Sequence, residues 1–131
     1  MRSVLAVFAG FLVLCLFSFG TDAGLRALLP GSYGPDGQVT STHTLLLCAL
    51  AAVLSTVAGG YAAGRLAPSR PARHALTLGV AALAFGVAVS FAMWSTAPLW
   101  YHVLGWVLAV PSALAGGRLA ERARRSARLR A

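Results

Sequence analysis

The chain has 131 residues, of which 58% are hydrophobic and only 11% are charged, and its formal net charge is +8. Soluble domains carry about a quarter charged residues and just under half apolar ones, so this composition argues against a water-soluble enzyme. It also argues against a disordered protein, because disorder requires low hydrophobicity. The composition predicts an integral membrane protein with one membrane domain over residues 1–131.

Four apolar stretches are long enough to cross a bilayer, whose hydrocarbon core of about 30 Å needs about 20 helical residues. We predict helices at about 4–29, 44–65, 75–97 and 98–119. The fold class is therefore all-α, an integral membrane four-helix bundle. Because only a tight turn at 96–98 separates the last two helices, we expect them to form a close antiparallel hairpin.

All eleven basic residues are arginine, and their distribution predicts the orientation of the chain. Ten of them precede the first span, join the second to the third, or follow the fourth: Arg2, Arg65, Arg70, Arg73, Arg118, Arg122, Arg124, Arg125, Arg128 and Arg130. Four crossings place these ten on one side of the membrane and only Arg26 on the other. By the positive-inside rule the arginine-rich side is the cytoplasm, so both termini are expected there.

The composition also bears on the source of the chain. The chain contains no Lys, Asn or Ile, whose codons are AT-rich, and this indicates that it comes from a GC-rich bacterium. The expected location is the cytoplasmic membrane of that bacterium.

The N-terminus allows a second interpretation, because Arg2, an apolar stretch and Ser18-Phe19-Gly20 resemble a cleavable signal peptide. Cleavage would leave three spans in the same orientation. We favour four spans, because the apolar stretch is longer than the usual signal core.

Ionisable residues within a span are the first candidates for function. Asp22 and Arg26 are four residues apart near the outer end of the first span, so they can form an ion pair on one helix face. The alternative is an outward-facing polar pocket that Asp22 shares with His43 or His102. No metal-ligand spacing, catalytic triad or phosphate loop is present, so we predict no metal, no cofactor and no enzymatic activity.

Small residues recur at steps of three and four on three of the predicted helices, a spacing that lets membrane helices approach closely. The glycines predicted to pack in this way are Gly60, Gly64, Gly79, Gly86, Gly105 and Gly116. The spacing predicts a tightly packed bundle. It leaves open whether the contacts lie within one chain or between chains.

The segment 118–131 contains six arginines and one glutamate. We expect it to continue the fourth span as a basic cytoplasmic helix. Its arginines are predicted to contact anionic lipid headgroups, above all Arg118, Arg122, Arg125 and Arg128. Nucleic-acid binding is not expected, because the tail lacks aromatic or polar residues that could contact bases.

Short motifs are spread over nearly the whole chain. They are Gly20-Thr21-Asp22, Gly59-Gly60-Tyr61 through Arg65-Leu66-Ala67-Pro68, Arg73-His74-Ala75-Leu76, Leu99-Trp100-Tyr101 and Gly116-Gly117-Arg118-Leu119. In these motifs the chain resembles a group of small bacterial four-helix membrane proteins without an established activity. The resemblance implies the four-helix fold and adds no activity. The arginine-rich extension after Leu119 is longer than is usual in that group.

Three functions fit these features. The first is a non-enzymatic helical-bundle protein that acts by association, either with itself or as an accessory subunit of another membrane protein. The alternative is a small oligomeric transporter or channel, although no carboxylate is expected at mid-membrane depth. A third is a holin-like permeabilising protein, since such proteins are small and have charged cytoplasmic tails. The expected partners are anionic lipid headgroups and either a second copy or another membrane protein.

Overall fold

The computed structural model describes residues 2–130 and is 87% helical, with no β-strand in that range. Its long helices are α1 (Arg2–Leu28), α2 (Thr42–Leu66), α3 (Pro71–Ala92) and α4 (Leu99–Arg130). Two short 3₁₀ helices, Pro30–Ser32 and Trp94–Thr96, lie in the connections. All four long helices are long and apolar enough to cross a membrane. The predicted all-α fold with four helices of membrane-spanning length is confirmed.

The helices extend beyond the apolar stretches at two places. Helix α3 begins at Pro71, in the basic segment before the third apolar stretch, and α4 continues through the arginine-rich tail to Arg130. Proline suits the first turn of a helix, where its missing N–H has no intrahelical partner. Arginine is among the better helix formers, so the tail has no reason to leave the helix when its apolar stretch ends.

The α1–α2 loop and the α3–α4 turn meet at one end of the bundle, which we call the loop end. Within the loop, the N–H of Gly34 donates to the carbonyl of Gln38 (N···O 2.8 Å), around a turn in which Gly37 has a φ of +75°. The N–H of Val39 donates to the carbonyl of Thr96 (3.4 Å), which joins the loop to the turn. We call the opposite end, which holds the α2–α3 connection and the tail of α4, the arginine end.

The helices pack most closely in the arginine half, where their facing residues are glycine and alanine. Helix α2 contacts the other three helices. A Cβ added at Gly59 would lie 2.7 Å from the carbonyl oxygen of Gly10 on α1. A Cβ added at Gly60, on the neighbouring face of α2, would overlap the backbone of Ala113 on α4. Such close backbone contact is typical of helix association in lipid.

Large apolar side chains lie on the outer surface of the bundle, and small residues fill its centre. The fully buried positions are mostly small residues such as Ala63 and Ala75, whereas Leu16 and Phe19 on α1 are 73% and 69% exposed. A soluble monomer rarely exposes contiguous apolar surface on this scale. The arrangement is compatible with an integral membrane protein, whose outward-facing side chains contact lipid.

Candidate functional site

Two adjoining cavities lie between the helices in the loop half of the bundle. The mid-bundle cavity has a volume of about 280 Å³, and the loop-end cavity has a volume of about 320 Å³. They share the lining residues Ser18, Ala52, Val89, Ser90, Tyr101 and His102. The loop-end cavity extends to Asp22 and Arg26, and the mid-bundle cavity extends to Trp106. The shared residues come from all four helices, so the site depends on the assembled bundle.

The glycine contacts explain why the cavities lie in this half. Of the glycines predicted to pack, those at close contacts within the chain are Gly60, Gly64, Gly79 and Gly116. The structure adds Gly10, Gly59 and Gly117, which sequence spacing did not single out. Gly86 and Gly105 differ, because a Cβ added at either would meet no atom within 4 Å. Both line the mid-bundle cavity, which is also lined by the bulky side chains of Phe85 and Trp106.

His102 is the most enclosed titratable side chain at the cavities, with 7% of its surface exposed. Its Nδ1 lies 3.1 Å from the hydroxyl oxygen of Ser90, and the indole N–H of Trp106 donates to that same oxygen at 3.1 Å. The ring of Trp94 stacks on the imidazole with 5.4 Å between centroids and an interplanar angle of 5°. These contacts fix the ring in position. Its Nε2 is buried and has no hydrogen-bond partner among residues 2–130.

Asp22 and Arg26 form an ion pair at the mouth of the loop-end cavity, where their side chains are roughly half exposed. The Nε of Arg26 donates to a carboxylate oxygen of Asp22 at 2.9 Å. The guanidinium group also lies over the ring of Tyr33, 4.7 Å from its centroid. Burial raises the pKa of Tyr33, so the phenol stays neutral over the physiological pH range. The contact is therefore a cation–π interaction between a guanidinium group and a neutral phenol ring.

The structure separates the two histidines that sequence reasoning had placed beside Asp22. His43 is exposed at the start of α2 and lines neither cavity. His102 lines the loop-end cavity together with Asp22. The chain therefore has both features proposed as alternatives: Asp22 pairs with Arg26, and the same carboxylate belongs to the wall of a partly polar cavity.

The cysteines and the metal-ligating residue types form no cluster in the part of the chain that the structure describes. Cys15 and Cys48 are both free, and Cys48 lines the loop-end cavity with its Sγ 4.0 Å from the hydroxyl of Tyr33. Between residues 2 and 130, no three side chains of His, Cys, Asp or Glu come together in a way that could hold a metal ion. The site therefore offers hydrogen-bonding groups and apolar walls.

At the arginine end, the tail of α4 contacts the end of α2. The guanidinium group of Arg124 donates to the carbonyl oxygens of Arg65 and Ala67, which have no partner within the helix. Arg125 pairs with Glu121 at 2.6 Å. The arginines predicted to contact lipid headgroups are exposed, namely Arg118, Arg122, Arg125 and Arg128. Arg124 was not among them, although it follows the buried Ala120 by one helical turn on the face that packs against α2.

Sequence reasoning also missed the roles of Ser90 and Trp106. Ser90 on α3 is hydrogen-bonded to His102 and to Trp106 on α4, which follow it by 12 and 16 positions, so no local motif reveals these contacts. Comparison of the chain with protein-family models, curated proteins and solved structures finds no match.

Proposed function

We propose that this chain is a non-enzymatic, multi-pass membrane protein that binds a small solute between the loop-end halves of its helices, as a small transporter does. One observation carries the proposal: two adjoining cavities lie between the four helices, and both are lined by His102, whose ring is held by Ser90 and Trp94. Pockets of about 300 Å³ with few polar groups are typical of small-molecule sites.

The distribution of arginine supports an orientation in which the loop end faces the outside. Arg65, Arg70 and Arg73 lie at or near the arginine end with the tail of α4, while Arg26 is at the loop end. By the positive-inside rule the arginine end lies in the cytoplasm with both termini, in the inner membrane of a bacterium. The cavities then open toward the outside. Trp94 and Trp100 at the loop end fit the outer aromatic belt.

The tail of α4 is proposed to lie against the cytoplasmic headgroups. Arg118, Arg122 and Arg128 are exposed and form no ion pair within the described residues, whereas the exposed Arg125 pairs with Glu121. Each arginine near anionic lipid contributes about 1 kcal/mol to binding. Arg124 hydrogen-bonds the tail to the end of α2. The attraction between the tail and the lipid headgroups therefore also holds the helical bundle at the membrane surface. The proposed role is to fix the depth of the bundle in the membrane.

Association with another chain is supported less well. Four of the six glycines that suggested it are at contacts within this chain; Gly60, for example, contacts α4 and Gly116 contacts α2, whereas a Cβ added at Gly86 or Gly105 would meet no atom within 4 Å. Exposed apolar side chains elsewhere need no protein partner, because lipid covers them in a membrane. The geometry therefore favours solute binding over assembly through these glycines.

Native mass spectrometry of the full chain, released from mild detergent, tests the proposed function. We expect the spectrum of the wild type to show a single chain with a small-molecule adduct, bound to all or part of the protein. The adduct should be lost when His102 is replaced by Phe. The matched control is His43→Phe, which alters a histidine outside the cavities and should keep the adduct. A stoichiometric second protein, with no adduct on the wild type, would replace solute binding by an accessory role. The same spectrum shows whether residues 1–20 are removed.

Labelling of Cys48 tests whether the cavity opens to the outside. In a Cys15→Ala background, a charged, membrane-impermeant methanethiosulfonate reagent should modify Cys48 when added to right-side-out vesicles. The control carries Cys48→Ala and keeps Cys15, which lines neither cavity and should stay unmodified. Modification of Cys48 only in inside-out vesicles would reverse the orientation. No modification from either side would show that water does not reach the cavity.

A further inference from the structure

Asp22 and Arg26 keep hydrogen-bonding capacity at the mouth of the loop-end cavity. A guanidinium group has five N–H donors, and one carboxylate can accept at most two of them. Within residues 2–130, the guanidinium group of Arg26 is hydrogen-bonded to Asp22 alone, and the carboxylate of Asp22 to Arg26 alone. The side chains are 44% exposed for Arg26 and 48% for Asp22, so a molecule in the cavity can reach both.

The loop between α1 and α2 helps to hold Arg26 in place. The ring of Tyr33 covers one face of the guanidinium group and leaves the N–H groups at its edge uncovered. On the loop, a Cβ added at Gly37 would lie 3.7 Å from Nη1 of Arg26. Because the guanidinium group is already positioned, binding a ligand to it costs less ordering. A planar fork of donors in a fixed place suits a carboxylate group.

The two charges at the cavity favour a ligand that carries both signs. A simple anion would be attracted by Arg26 and repelled by Asp22, whose carboxylate lies 2.9 Å from that side chain, and a simple cation would have the opposite difficulty. An uncharged apolar molecule would displace water from both groups without replacing its hydrogen bonds. A zwitterion whose ammonium and carboxylate groups are close together supplies a partner for each side chain.

The other walls of the loop-end cavity are largely apolar. They include Val89 and Met93, which are 37% and 46% exposed. An α-amino acid has its side chain and both charged groups on one carbon, so an apolar side chain can contact these walls while the charges stay at the ion pair. A cavity of about 150 Å³ holds benzene, so the volume of about 320 Å³ has room for the roughly nine non-hydrogen atoms of leucine.

From these contacts we infer that the bound solute is a zwitterionic α-amino acid with an apolar side chain. Its carboxylate accepts hydrogen bonds from Arg26, its ammonium group donates to Asp22, and its side chain lies against Val89 and Met93. The inference rests on the proposed function and names the chemical class of its solute.

Four molecules related to leucine test this chemical class. L-Leucine is the zwitterion, and its isomer 6-aminohexanoate has the two charges at opposite ends of the chain. Leucinamide carries only the positive charge, and N-acetylleucine carries only the negative one. Binding of radiolabelled L-leucine to the full chain in phosphatidylcholine nanodiscs is measured by equilibrium dialysis, with empty nanodiscs as the blank and the other three molecules as competitors. We expect unlabelled L-leucine to compete at least about tenfold more strongly than each of them, since each lacks one of the two charged contacts.

Single substitutions locate the two contacts. Asp22→Asn keeps the shape of the side chain and removes its charge, so it should weaken leucine binding about tenfold and strengthen the binding of N-acetylleucine. Arg26→Gln should also weaken leucine binding and should strengthen the binding of leucinamide. The matched control is Glu121→Gln, which breaks an ion pair of the same spacing at the arginine end and should leave leucine binding unchanged.

The comparison of the four molecules on the wild type tests the inference even if a variant fails to fold. Competition by 6-aminohexanoate or by either singly charged molecule as strong as that by L-leucine would overturn the inference, and so would binding of none of the four. Unchanged leucine binding in both Asp22→Asn and Arg26→Gln would remove the ion pair from the site. These results would not refute the proposed function, because native mass spectrometry and Cys48 labelling test solute binding and cavity access without assuming an amino acid.

Discussion

The same substitution, glycine to alanine, should have opposite effects at Gly60 and at Gly86. At Gly60 the new Cβ would overlap the carbonyl group and Cα of Ala113, which are backbone atoms of α4 and cannot move without moving the helix. At Gly86 it would meet no atom within 4 Å. Both glycines lie inside helices, so the backbone preference for alanine is the same at the two positions and only the packing differs.

The expected magnitudes follow from two terms. Overpacking in a rigid contact costs about 1–3 kcal/mol, and the overlap at Gly60 places it near the upper end. Replacing glycine by alanine in a helix gains about 0.5–1 kcal/mol. Gly60→Ala should therefore lower the free energy of unfolding by about 2 kcal/mol. Gly86→Ala should raise it by up to about 1 kcal/mol.

Unfolding by sodium dodecyl sulfate in mixed micelles, followed by circular dichroism, measures both variants against the wild type. The difference of about 3 kcal/mol between them is well above the uncertainty of such titrations. A Leu46→Ala variant serves as a control, because Leu46 is exposed on the outside of α2 and its truncation should have little effect. If Gly86→Ala were as destabilising as Gly60→Ala, there would be no open space beside Gly86 and the account of the mid-bundle cavity would fail.

The remaining predictions concern polar contacts. Arg124→Ala should lower the midpoint of thermal unfolding in detergent by several degrees, because two carbonyl groups at the end of α2 lose their partner, while Arg125→Ala should shift it by a degree or less. A similar midpoint for both would show that the contact to α2 is dispensable. Ser90→Ala should destabilise the protein by about 1–3 kcal/mol in the same titration, since two buried ring nitrogens lose their hydrogen-bond partner. Asp22→Asn should cost less than about 1 kcal/mol, because its pair with Arg26 is half exposed, and a larger loss would assign Asp22 a structural role.

Hydropathy predicted the number and type of the helices because a membrane imposes a strong and simple requirement on length and composition. Hydropathy predicted the ends of the helices less accurately. Helix α3 was expected at 75–97 and lies at Pro71–Ala92, since proline suits the first turn of a helix whether or not lipid surrounds it. The continuation of α4 to Arg130 agrees with the helical tail expected from the sequence. The Asp22–Arg26 contact was also within reach of sequence reasoning, because a spacing of four on one helix requires no knowledge of the fold.

The cavities could not be predicted in the same way. Gly79 and Gly86 belong to one stripe on α3, yet only Gly79 contacts α4, so spacing alone does not show where two helices separate. The hydrogen bonds around His102 could not be predicted from sequence spacing either. They join α3 to α4 across the bundle, and their geometry depends on how the two helices are rotated against each other.

The change in side-chain size along α4 supplies the missing physical signal. From Ala113 to Ala120 this helix presents small residues to α2 and α3, and the backbones approach closely there. Two to three turns nearer its start, the bulky side chains of Tyr101, His102 and Trp106 line the mid-bundle cavity instead. Small residues let two helix backbones come into contact, whereas a ring keeps its own backbone away from the group it packs against. The side-chain sizes along α4 therefore account for the close contacts in the arginine half and for the cavity in the loop half.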